Sequence, residues 1–240
     1  MKQIIAIHGW SGDSQTWKDW IGPFQKHGWV WQSGERGYYL QQALEPQWRM
    51  NVEIKQKTPI SRVVIAHSLG LHLLNQEILL EATSIVLLSS FGRFIPLGRD
   101  NRAIKTALNG MRKSLGTQKE SKMLGNFHIK ACHPSPTSMM SINPLLKDLT
   151  NSGRERLIKD LDLLIDTNGL PKGFPPNAKV LVINAEEDAI INPQTQELLI
   201  IELNRHLHHE LTHWRIAKAG HTLLVPNLKN RILDWIESCL

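Results

Sequence analysis

Ile65-Ala66-His67-Ser68-Leu69-Gly70 is the stretch on which the reading of this chain turns. It lies where an apolar, β-branched run, residues 62–66, gives way to a helix-compatible pattern over residues 69–80. A serine at such a junction, with a small residue two positions before it and glycine two after, matches the pattern of a nucleophile elbow. The small residues matter because the sharp turn crowds strand against helix. Ala66 stands where the usual pattern has glycine, a departure of one methyl group. By itself, Ser68 would pass for an ordinary helix-capping serine; its surroundings separate the two readings.

Working outward, short apolar runs recur at residues 4–7, 29–32, 62–66, 85–88, 179–184 and 212–216, each compatible with a strand buried on both faces. Helical patterns at 14–25, 69–80, 193–206 and 227–239 fall among and after them. This alternation predicts an α/β fold, a mostly parallel sheet of about six strands flanked by helices. The alternation fails between residues 90 and 171. That region offers amphipathic helices near 101–115 and 154–165, separated by breaks such as His133-Pro134-Ser135-Pro136. The expected organisation is a core over residues 1–92 and 171–240, interrupted by a helical lid insertion over 93–170.

The strand ends carry the rest of the chemistry. His8-Gly9-Trp10-Ser11-Gly12 follows the first strand, Asn184-Ala185-Glu186-Glu187-Asp188 the fifth, and Ala219-Gly220-His221 the last. Ligands and catalytic groups gather at that edge of open α/β sheets. Serine, then acid, then histidine is the chain order in which such folds assemble a catalytic triad. A hydroxyl is a weak nucleophile until an imidazole takes its proton, and the acid fixes the tautomer of that imidazole. The backbone N–H of Leu69, after the serine, and one from the first loop would bind the oxyanion.

On these residues the chain resembles the α/β-hydrolase superfamily. More narrowly, it resembles the pimeloyl-acyl-carrier-protein methyl ester esterases of biotin synthesis. The motifs are His8-Gly9-Trp10, His67-Ser68-Leu69-Gly70, Asp188-Ala189-Ile190-Ile191 and Ile216-Ala217-Lys218-Ala219-Gly220-His221. The resemblance implies a triad of Ser68, Asp188 and His221, selecting Asp188 over Glu186 and Glu187. It implies an oxyanion hole from the N–H groups of Trp10 and Leu69, and a substrate bound by acyl carrier protein. Leu71, where a second glycine often follows, departs from the family pattern, and so does a first core strand at the very start of the chain. Trp10 is expected at the pocket mouth, with Phe91, Phe94 and Phe127 lining an acyl channel; His8 and His67 are expected to brace their loops. The alternatives are a general carboxylesterase or thioesterase on small acyl groups, and a ligand receptor that uses the fold without catalysis.

Composition and charge bound the remaining classes. With 240 residues, 41% hydrophobic and 21% charged, the sequence reads as a globular protein able to bury a core without metal or disulfide staples. Cys132 and Cys239 show no framework spacing, which favours a reducing, cytoplasmic setting. No apolar run approaches the ~20 residues of a membrane span. The net charge is +6, yet residues 93–130 alone carry nine basic residues against Asp100 and Glu120. The rest of the chain is therefore close to neutral. In helical projection Arg99, Arg102, Lys105, Arg112 and Lys113 share one face, opposite Ile104, Ala107, Leu108, Met111 and Leu115. Such a single-signed face suits an acidic partner; because it lies in the insertion that would roof Ser68, and because the resemblance implies a carrier docked on lid cations, an acidic carrier protein fits better than nucleic acid or membrane. The chain is expected to act as a monomer without a cofactor. His209-Glu210-Leu211-Thr212-His213 spells the zinc-protease signature, but it falls on an expected strand. There, residues four apart are separated by roughly 13 Å, too far for one metal.

Overall fold

A computed structural model describes residues 1–49, 60–98, 101–139 and 149–240. Six parallel strands form one sheet: β1 (Lys2–Ile7), β2 (Trp29–Gly34), β3 (Ser61–His67), β4 (Ser84–Leu88), β5 (Lys179–Ala185) and β6 (Thr212–Ile216). Their order is β2-β1-β3-β4-β5-β6. All six lie where the apolar runs place them.

Both faces of the sheet are covered, and the strand sequences show why. Successive side chains point to opposite faces, and in β1 Ile4 and Ala6 join one core while Ile5 and Ile7 join another. Val63 and Ile65 of β3 follow the first pair, Val64 and Ala66 the second. The first core takes Phe24 from α1 (Lys18–Lys26) and Ile232 and Ile236 from α8 (Leu228–Ser238). The second takes Leu79 from α3 (Gln76–Leu80) and Leu199 and Leu203 from α7 (Pro193–His206). Truncating any of these fully buried aliphatics to alanine would cost about 2–5 kcal/mol.

The expected helix over 69–80 is two pieces, α2 (Gly70–Leu73) and α3, broken at Leu74 and Asn75. Asn75 takes the extended conformation of a helix cap and its carbonyl accepts from the Ile78 and Leu79 N–H groups. Asparagine is better suited to that position than to a helix interior.

Between β4 and β5 the described residues hold helices and no strand: α4 (Asn101–Ser114), α5 (Glu120–Cys132) and α6 (Asn151–Asp166). Helical patterning in the sequence announces α4 and α6 but not α5. Leu108, Leu124, Leu157 and Leu161 from these helices join Trp10, Leu69, Phe94 and Ile191 in a third apolar core above the C-terminal strand ends. A buried clamp ties this layer to the sheet. Asp160 on α6 accepts from Arg36 Nε at 2.9 Å, Arg36 Nη2 at 2.6 Å and the Tyr38 hydroxyl at 2.5 Å. Among the described residues, no helix is long and apolar enough to cross a membrane.

Candidate active site

β1 and β3 are neighbours, yet the chain runs from β1 to β2 on one side before returning to β3 on the other. Crevices open at such switch points, outside the carboxyl ends of the strands. The loops carrying Gly9 and Ser68 both leave the sheet there.

Ser68 follows β3 directly and has φ +55°, a left-handed conformation that costs a side-chain-bearing residue about 1–2 kcal/mol. Its neighbours hold it in place. The Ser68 N–H donates to the Leu88 carbonyl at 2.9 Å, and the Ser90 hydroxyl donates to the Ser68 carbonyl at 2.8 Å. Glycine is required beside it. A Cβ on Gly70 would stand 2.7 Å from the Ile7 carbonyl oxygen, so the helix after the elbow touches the backbone of β1. Ala66, in contrast, is accommodated: its methyl is fully buried in register with Ile7 and Leu87.

The structure brings the three expected residues together. His221 Nε2 lies 3.0 Å from Ser68 Oγ, and His221 Nδ1 lies 2.8 Å from Asp188 Oδ2. Asp188 Oδ1 accepts from the N–H groups of Ile190 and Ile191 at 2.8 and 2.9 Å. Burial raises the Asp188 carboxyl, but His221 and these two N–H groups outweigh it and hold the carboxyl below its ordinary range. Glu186 and Glu187 are exposed to solvent, and of the three acids it is Asp188 that meets His221. With Nδ1 donating to Asp188, His221 keeps Nε2 free to accept the Ser68 proton.

The histidine loop is strapped from two sides. Gly220 packs so closely on the His133 carbonyl that no side chain fits there, and the Thr222 N–H donates to the Ala131 carbonyl at 3.1 Å. His67 Nε2–H donates to the His221 carbonyl at 2.9 Å. Burial, with His221 beside it, pushes the His67 imidazole down to about 3, so it stays a neutral brace. His8 braces the first loop, with Nδ1 2.8 Å from the Gly9 carbonyl oxygen and Nε2 3.2 Å from the Arg36 backbone nitrogen and 3.5 Å from Glu35 Oε1.

Trp10 and Leu69 stand on the two loops that flank Ser68. No protein hydrogen bond engages their backbone N–H groups among the described residues. A cluster that sequence reasoning missed supports the first loop. Ser11 Oγ lies 2.9 Å from the Tyr39 hydroxyl and 3.1 Å from His128 Nε2. Through it, α5 touches the loop that presents the Trp10 N–H. Burial pushes His128 down to about 4.

Two cavities meet at Ser68. A chamber of about 860 Å³ opens beneath α4 and α5 and along the 189–193 loop. A smaller one of about 380 Å³ lies between the first loop and residues 223–229. Trp10 and Phe127 line both, edge to face with ring centroids 5.0 Å apart. Phe94 lines the large chamber. Phe91 corrects the expectation: it reaches neither cavity and is fully buried, stacked on His72 at 5.2 Å and edge-on to Phe94 at 5.1 Å.

Arg102, Lys105, Arg112 and Lys113 are exposed on α4 as the projection places them, and Arg99 lies outside the described residues. Arg112 is partly neutralised by Asp162 of α6, Nε to Oδ1 at 2.8 Å. His209 falls in a bend and His213 in β6, so the zinc-like spelling is not on a helix. Among the described residues, no cluster of three His, Cys, Asp or Glu has metal-holding geometry.

Strand order, elbow and the placement of Ser68, Asp188 and His221 at the strand ends together define the α/β-hydrolase fold. No protein-family model matches the sequence, and no curated protein matches it. Solved structures do. An esterase, EaEST, from Exiguobacterium antarcticum superposes with a TM-score of 0.68 at 13% identity, covering 99% of this chain and 92% of its own. A bromoperoxidase from Bacillus anthracis gives 0.68 at 12%, over 99% of this chain and 92% of its own. MenH from S. aureus gives 0.59 at 12%, over 99% and 94%. At these identities the likeness is one of fold.

Proposed function

We propose that this chain is a serine hydrolase that cleaves carboxylic esters, with Ser68 as nucleophile, His221 as base and Asp188 as its orienting acid. The observation that carries the reading is the unbroken relay from Ser68 Oγ through His221 to Asp188, at 3.0 and 2.8 Å. His221 Nε2 takes the hydroxyl proton as Ser68 Oγ bonds to the ester carbonyl carbon. The Trp10 and Leu69 N–H groups receive the oxyanion, each donor contributing roughly 100–1000-fold in rate. The C–O bond to the alcohol breaks, and the alcohol leaves with the proton from His221. Water then repeats the sequence and frees the carboxylate.

For the substrate we propose the methyl ester of a pimeloyl chain carried on acyl carrier protein, releasing methanol. The apolar chamber supports an acyl chain, and the exposed cations of α4 support an acidic carrier docked on the helical segment as on a lid. Arg102, Lys105 and Lys113 are the docking residues to test first, since Arg112 already has Asp162. A fluorophosphonate should label wild type at Ser68, and Ser68→Ala should neither label nor hydrolyse esters. Ester hydrolysis retained by Ser68→Ala overturns the catalytic reading. For the carrier, Arg102→Glu/Lys105→Glu should raise KM for a carrier-bound ester and leave a small free ester unchanged. Equal effects on both overturn docking through α4.

A further inference from the structure

The cations of the basic segment divide between two helices in a way the sequence does not announce. Arg102, Lys105 and Lys113 line neither cavity. Lys119, Lys122 and Lys130, by contrast, are exposed to solvent and stand among the residues that line the large chamber, alongside Met123 and Phe127 of α5. The spacing places them there: 119, 122, 126 and 130 advance by three, four and four residues and return to one face of α5.

These three lysines have no anionic partner among the described residues. Glu120, the acid nearest in sequence, is turned to Arg154, with Arg154 Nη2 2.9 Å from its Oε1. Among the described residues, the one carboxylate lining the chamber is Asp188, which is engaged by His221. The chamber therefore joins apolar walls to three cations that the described residues leave unmatched. Lysine stems can lie along apolar surface while their ammonium groups seek charge, and an ammonium reads charge rather than shape.

We propose that the large chamber takes an anionic amphiphile: the acyl part of the ester bears a carboxylate or phosphate remote from the scissile bond, and Lys119, Lys122 and Lys130 pair with it. This deepens the esterase reading and rests on it for the position of the ester at Ser68. It assigns α5 to the substrate and leaves α4 to a carrier. A free dicarboxylic half-ester and the phosphate of a pantetheine arm both supply the required anion.

Calorimetric titration of Ser68→Ala separates binding from turnover. The probes are azelaic acid monomethyl ester, its coenzyme A thioester, and methyl nonanoate as the neutral chain. Azelaic acid monomethyl ester should bind about tenfold more tightly than methyl nonanoate, the combined effect of three modest, solvent-screened pairs. Adding Lys119→Gln/Lys122→Gln/Lys130→Gln should bring the affinities for the half-ester and methyl nonanoate together. Tighter binding of the thioester than of the half-ester assigns the site to phosphate; the reverse assigns it to carboxylate. Equal binding of charged and neutral chains, or an advantage that survives the triple substitution, overturns the proposal. Discrimination that persists in a protein whose wild type resists fluorophosphonate would sink the esterase reading and leave the anion site standing.

Discussion

Gly9 faces Ser68 so closely that a methyl group on Gly9 would stand 2.8 Å from Ser68 Cβ and 3.2 Å from the His67 carbonyl oxygen. The two loops that build the candidate oxyanion hole are thus in contact through a residue that must have no side chain. Gly9→Ala should force them apart, lowering stability by about 1–3 kcal/mol and slowing fluorophosphonate labelling of Ser68. Gly110→Ala is the control. That glycine lies exposed within α4 with nothing within 4 Å of an added Cβ, so it should gain about 0.5–1 kcal/mol. Denaturant titration of both variants checks the opposite signs; equal signs refute the contact argument.

The legibility of this site follows from which contacts are local. The four inner strands were readable because each is apolar on both faces, and the elbow because Ser68 and Gly70 sit two residues apart. The acid required a choice among Glu186, Glu187 and Asp188 that the resemblance made and burial supports. What escaped was non-local. α5 presents two mixed faces: His128 and Cys132 lie on the buried side, and lysines alternate with Met123 and Phe127 on the chamber side. Neither face reads as an apolar stripe. Phe91 was over-read because an apolar residue after a strand looks the same in sequence whether it lines a pocket or fills a core. The pairing of Arg112 with Asp162 depends on α4 packing on α6, which no local pattern announces.

Asp188→Asn should separate geometry from charge. The Ile190 and Ile191 N–H groups demand the amide oxygen, which turns the amide NH2 toward His221 Nδ1 and holds the imidazole in the wrong tautomer for accepting the Ser68 proton. A fall in kcat of about 10⁴ is expected, with KM for a small ester nearly unchanged. A fall of less than about tenfold would show that Asp188 does not set the tautomer.

The Asp160 clamp predicts a stability effect far from Ser68. Burial, with the Asp160 carboxylate beside it, pushes the Tyr38 phenol well above its ordinary value, so it remains a donor. Asp160→Ala would strand that buried hydroxyl and the Arg36 guanidinium, at a cost of about 3–5 kcal/mol. Asp160→Asn should cost less, since it keeps one acceptor. Because the clamp joins α6 to the loop after β2, limited proteolysis of Asp160→Ala should cut first between β4 and β5. Cleavage first elsewhere would argue against the clamp.

Glu35 is a buried carboxylate whose protonation should cost the fold stability in acid. Its side chain is nearly fully buried, and its oxygens accept from the Ser14 and Gly37 N–H groups, both at 2.8 Å. Burial alone would raise its carboxyl. The His8 imidazole and these two N–H groups outweigh it and lower the carboxyl from 4.5 to about 2. A carboxyl depressed in the folded state stabilises fully above its unfolded value, and that stabilisation is lost as pH falls toward the folded one. The contribution is roughly 3 kcal/mol at neutral pH. Glu35→Gln should therefore lower the thermal midpoint by a constant amount from pH 7 down to about 5. Below that, the gap between variant and wild type should narrow, closing near pH 2, the lowered value. Thermal scans at stepped pH measure the gap; a difference that stays flat from about pH 6 to 3 would show that Glu35 does not carry the acid sensitivity.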